Sequence, residues 1–168
     1  MQQIQTAGMS YYTEYSVYPI PAGQAASTDF VIADTDSATW GGMIYGLAGN
    51  INPLDGSTSA PGSAVPNTRA IAFLTLKSTD MDVKNGKNAP LNPLPPNTSS
   101  LYMNMAIDGD YDNILGTAPS AAQLPKFQGA VVGTDPPNGG TSTAGIALWA
   151  NCNGNATTKN PSFWIHTY

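Results

Sequence analysis

The chain has 168 residues, a formal net charge of −5 and only 10% Asp, Glu, Lys and Arg, where an ordinary soluble domain carries ~25%. Its six basic residues are scattered, and without a stripe of cations to neutralise phosphates a role in holding nucleic acid is excluded. A single cysteine, Cys152, excludes an intramolecular disulfide, and the lack of ~20 consecutive apolar residues free of Gly and Pro excludes a spanning helix.

Ten of the eleven acids are Asp, the one Glu being Glu14, and Thr, Asn, Asp, Gly and Pro suit strand faces and turns better than solvated helices. We therefore expect an all-β protein, an antiparallel β-sandwich of jelly-roll or other Greek-key type with about eight strands and long Pro/Gly-rich loops. The chain length fits one such domain, residues 1–168, with residues 1–10 as an N-terminal arm.

In chain order, the expected strands cover residues 11–18, 29–33, 39–47, 69–77, 101–108, 127–132, 145–152 and 162–168. The first is crowded with Tyr11, Tyr12, Tyr15 and Tyr18 on both faces, which calls for burial by the core on one side and by an adjacent subunit on the other. The third contains Trp40 and is interrupted by Gly41-Gly42, read as a bulge or a close backbone approach. Alternation is clearest at 101–108, where Leu101, Met103, Met105 and Ile107 share a face. The expected core joins Met103, Met105 and Ile107 to Ile146 and Leu148, with Ile71 and Phe73 or their alternates Leu74 and Leu76. A last hairpin is expected to pair Cys152 with Ser162 and Leu148 with His166, too far apart along the strands for a Cys–His dyad. No helix is expected beyond one short turn near 120–124.

Three connections, 49–67, 85–100 and 134–143, are rich in Pro and Gly. The run Pro93-Leu94-Pro95-Pro96 holds an extended shape at little entropic cost and suits draping over a neighbour. Pro93, Pro95 and Pro96 therefore join the four tyrosines as expected subunit contacts.

Asp108, Asp110 and Asp112 alternate through a turn and are the candidate ligands for Ca²⁺, although an EF-hand-like loop would need Glu where Pro119 stands. The pairs Asp34/Asp36 and Asp80/Asp82 are spaced alike but lack a third ligand nearby. Trp40, Trp149 and Trp164 lie among Asn, Asp and Gly, the mixture of a sugar site, with an aromatic plate and short polar groups. No nucleophile elbow, phosphate loop or zinc spacing is present, so no enzyme activity is expected.

These features suit a structural protein of a virus or phage particle, a capsid decoration, minor capsid or head-fibre subunit acting through subunit contacts on the outer surface. Its expected partners are copies of itself, a major shell protein, or both, with neither nucleic acid nor membrane. The alternative is a carbohydrate-binding lectin or adhesin, calcium-assisted, and a particle-surface protein could hold host glycans as well. Without a cationic segment leading an apolar run at its start, the chain is expected to be made in a host cytoplasm and carried on the virion surface.

Overall fold

A computed structural model describes residues 1–24, 29–33, 36–91, 102–111, 113, 115, 145–152 and 163–167, with backbone only for Lys84, 149–152 and 163–167. The fold is α+β, not an eight-stranded sandwich. Its helices are α1 (Gln2–Tyr15) and α2 (Ser37–Leu47). Its strands are β1 (Phe30–Ile32), β2 (Met81–Asp82), β3 (Lys87–Pro90), β4 (Asn104–Ile107), β5 (Ile146–Cys152) and β6 (Phe163–Thr167). The larger sheet runs β1-β4-β5-β6, antiparallel throughout, while β2 and β3 form a separate hairpin.

Two expected strands are helices. In α1 the buried residues Ile4, Ala7, Gly8 and Tyr11 fall at i, i+3, i+4 and i+7, a helical stripe. Residues 2–10, expected as an arm, are thus part of this helix, and the tyrosine-rich stretch that looked β-forming completes it. Helix α1 lies against β5: a Cβ on Gly8 would collide with the Ile146 side chain, and the Gln5 side-chain amide donates to the Ile146 carbonyl at 2.9 Å. Ser16, left-handed at φ 56°, ends the helix and returns its N–H to the Tyr12 carbonyl.

Helix α2 starts at Asp36, whose carboxylate accepts from the Thr39 amide at 3.0 Å and the Thr39 hydroxyl at 2.6 Å, an N-cap. Every residue from Trp40 to Leu47 is buried. Of the two expectations for Gly41-Gly42, a bulge or a close backbone approach, Gly42 meets the second: a Cβ there would strike the Ser63 carbonyl, and one on Gly46 would crowd Val65.

Residues 69–77 also depart from expectation. They contribute one isolated bridge, Ala72 to Ala48, rather than a strand. Asn67 explains the difference, because its side chain donates to the Gly46 and Ile71 carbonyls, both at 2.7 Å. It also accepts from the Tyr15 hydroxyl at 2.7 Å and the Ile71 amide at 3.1 Å. These bonds wrap the segment around the end of α2, where Phe73 and Leu74 donate to the Leu47 carbonyl at 2.9 and 3.0 Å.

The core lies between the helices and one sheet face. Met103, Met105, Ile107, Ile146 and Leu148 are buried there as expected, joined by Ile32, Trp40, Met43, Ile44 and Leu47. Of the alternates, Leu74 is buried while Ile71, Phe73 and Leu76 are partly so. The opposite face carries Val31, Ala106 and Ala147 side by side, with Leu115 packed against them. The last hairpin forms one residue out of the expected register, pairing Trp149 with His166 and Cys152 with Phe163. Cys152 and His166 remain three pairs apart along the ladder. The strand expected at 127–132 lies outside the described residues, as do the loop 134–143 and the turn at 120–124.

Candidate functional site

Asp29 immediately precedes β1 and Asp108 immediately follows β4, and those strands pair with Phe30 opposite Ile107. The sheet therefore brings two carboxylates side by side at one end, and the turn after β4 adds Asp110. A carboxylate oxygen from each lies within 4.8 Å of the others, with Asp29 and Asp108 buried and Asp110 exposed. Two ligands on opposite sides of a calcium ion, at ~2.4 Å each, stand about that far apart.

Asp108 is fixed on both sides. Its amide donates to the Gly145 carbonyl at 2.9 Å, prolonging the β4–β5 pairing, and its carboxylate accepts from the Asn113 amide at 3.0 Å. Tyr111 and Asn113 are both left-handed, at φ 62° and 65°. Asn tolerates that region, whereas a bulky Tyr enters it only when neighbouring contacts hold it. Here the Tyr111 hydroxyl accepts from the Tyr18 amide at 3.0 Å, and its ring stacks on Tyr18 at 5.4 Å between centroids. Tyr18 in turn stacks on Tyr12 at 4.5 Å. Burial raises the Tyr18 pKa, and the nearby Asp108 charge adds to the shift, since both disfavour a phenolate.

Of the three carboxylates expected to meet, Asp108 and Asp110 do, and Asp112 lies outside the described residues. The third is Asp29, seventy-nine positions earlier than Asp108, found only once the pairing of β1 with β4 is known. One member of each of the other acidic pairs has structural work. Asp36 caps α2, and buried Asp82 accepts from the Tyr102 hydroxyl at 2.8 Å and from the Asn85 side chain. Burial and the Asp82 carboxylate push the Tyr102 pKa up to about 12.

The expected contact tyrosines divide. Tyr11 is buried, its hydroxyl bonded to the Pro66 carbonyl, and its ring meets Tyr15 at 4.5 Å and Phe73 at 5.6 Å. Burial pushes its pKa up to about 12. Tyr15 bonds the Asn67 side chain and, like Tyr12 and Tyr18, retains partial exposure. Pro93, Pro95 and Pro96 lie outside the described residues.

Trp40 is no sugar platform: it is fully buried and donates its indole N–H to the Met103 carbonyl at 2.8 Å. Trp149 and Trp164 fall in β5 and β6, and their side chains lie outside what is described.

Comparison with protein-family models, with curated proteins and with solved structures gives no match. Among the described residues no helix is long and apolar enough to cross a membrane.

Proposed function

We propose that the protein is a structural subunit that works by packing against copies of itself or against a shell protein, on the outer surface of a virus or phage particle. The observation that supports this reading is the outward face of α1. Gln2, Gln3, Thr6, Met9, Ser10, Thr13 and Glu14 are its exposed residues, and Glu14, the only charge among them, is paired with Arg69. Solvated helices usually display Lys, Arg and Glu. This face loses little hydration when covered, because hardly any charge must be desolvated. An outer position is favoured over an inner one facing packaged nucleic acid, for which clustered cations are missing.

Size-exclusion chromatography with light scattering, over a concentration series in physiological salt, tests the reading. Concentration-dependent association is expected, and a protein that stays monomeric to millimolar concentration overturns packing against copies of itself.

One observation favours the second reading, a glycan-binding domain. Tyr111 is 41% exposed and continues the tyrosine stack beside Asp110, a pairing of aromatic face and polar acceptor that suits a sugar ring. Retention on immobilised glycans, by a monomer, would favour it. In either case we propose Ca²⁺ as the cation suited to Asp29, Asp108 and Asp110.

A further inference from the structure

We infer that Asn85 is a modification site: when the β2–β3 hairpin opens, its side-chain amide is lost to water through a succinimide, and the carboxylate so formed keeps the hairpin from closing again. The inference is independent of what the molecule packs against.

The turn sequence Asn85-Gly86 carries the chemistry. The Gly86 nitrogen can attack the Asn85 Cγ, because glycine has no Cβ to crowd the approach. The new N–Cγ bond closes a succinimide ring as the Cγ–Nδ2 bond breaks. The Gly86 amide proton passes, by way of solvent, to the side-chain nitrogen, which leaves as ammonia. Water then adds to the ring and breaks one of its two C–N bonds, leaving an aspartate or an isoaspartate at position 85. Asn85 and Gly86 are both exposed, and a Cβ on Gly86 would meet nothing within 4 Å, so water reaches the reacting atoms.

The closed turn withholds those atoms from each other. Asn85 ends a single turn of 3₁₀ helix, Val83–Asn85, and Gly86, left-handed at φ 63°, donates its N–H to the Val83 carbonyl at 3.0 Å. The leaving nitrogen, Asn85 Nδ2, donates to both oxygens of Asp82, at 3.0 and 2.9 Å, and the Asn85 backbone N–H adds a bond at 3.3 Å. Turning the side chain toward Gly86 must break its two bonds to Asp82. Reaction therefore belongs to the opened hairpin, and its rate follows the opening.

The product cannot restore the turn. Asp82 is buried, and a carboxylate only accepts hydrogen bonds. The amide at position 85 supplies N–H groups, whereas a carboxylate there supplies none and brings a like charge. An isoaspartate also lengthens the backbone through the turn. Met81, Ala89 and Pro90 of the hairpin are buried, and Asn88 lies against Gly41 of α2, so a hairpin held open uncovers one side of that helix.

The test incubates the full chain near neutral pH, folded and in guanidinium chloride, and follows its Asn-Gly sequences at 85, 138 and 153 by peptide mapping with mass spectrometry. In denaturant Asn85 is expected to convert as fast as Asn138 and Asn153. In the folded chain it is expected to convert about tenfold to a thousandfold more slowly than in denaturant. A folded rate equal to the denatured one overturns the protection by Asp82, and an Asn85 that stays intact over that whole range overturns the site. In converted chains the Leu91 amide, bonded to the Asp80 carbonyl at 2.9 Å, is expected to exchange its hydrogen faster than in unconverted ones; equal exchange overturns the block on reclosure. Asn85→Asp is expected to melt below Asn85→Ala, which removes the side-chain donors without adding charge, and an Asn85→Asp chain that melts no lower overturns the part assigned to charge.

Discussion

Helices α1 and α2 cover the same sheet face under opposite conditions. Helix α2 is enclosed on all sides by the sheet, the β2–β3 hairpin and residues 63–65, so that eight consecutive positions from Trp40 to Leu47 are buried. Helix α1 buries a stripe, Ile4, Ala7, Gly8 and Tyr11, and leaves the rest outside. The difference separates two jobs. Changes in α2 act on stability, because no side of it can yield without loss of packing, while changes on the outer side of α1 spare the packing and, on the subunit reading proposed above, act on what the molecule touches.

The strongest test of that division is Trp40→Ala, which removes a fully buried ring and its bond to Met103. It should cost ~3–5 kcal/mol, read as a large fall in melting temperature or denaturant midpoint. A loss under ~1 kcal/mol would mean that α2 is not the enclosed element described.

Neighbouring glycines sharpen the same point. Gly42→Ala forces a Cβ into the Ser63 carbonyl and should destabilise by ~1–3 kcal/mol. At Gly41 the nearest atom to a Cβ is the Asn88 Cβ at 3.6 Å, an ordinary contact, so Gly41→Ala should be neutral or stabilise by up to ~1 kcal/mol through helix propensity. Chemical denaturation of both variants checks the sign.

Calcium should act away from both helices' buried sides. A bound ion at a concentration 100 times its Kd would add ~2.7 kcal/mol, raising the melting temperature in a way that chelation reverses and Asp110→Asn abolishes. Calorimetry showing no heat at millimolar calcium would remove the ion from the proposal.

The smallest stability effect is expected at Met9, 40% exposed on α1. Met9→Lys should change stability by no more than ~0.5 kcal/mol while weakening association measured by light scattering. A variant that assembles as well as its parent would separate α1 from the contact surface.

The strands of the larger sheet were legible because 29–33, 101–108, 145–152 and 162–168 are short runs of apolar and aromatic residues, with alternation clearest at 101–108. The helices were not, for two physical reasons. The stripe of α1 is built partly of Ala7 and Gly8, whose burial comes from close approach rather than bulk, so its period carries little hydrophobic contrast. In α2 burial on every side leaves no polar face, and an enclosed helix then reads like a buried strand. At the acidic site Asp108 and Asp110 were legible from their spacing, but Asp29 depends on a strand pairing that local pattern does not encode.

The amide of Asn67 holds three stretches that are distant in the chain: the Tyr15 hydroxyl at the end of α1, the Gly46 carbonyl in α2, and Ile71 by both its N–H and its carbonyl. Loosening any one leaves a buried polar atom to be resolvated at the other two, so their separate openings are discouraged. In hydrogen exchange the Ile71 amide and the α2 terminus then belong to one cooperative unit, whose opening also frees the last turn of α1.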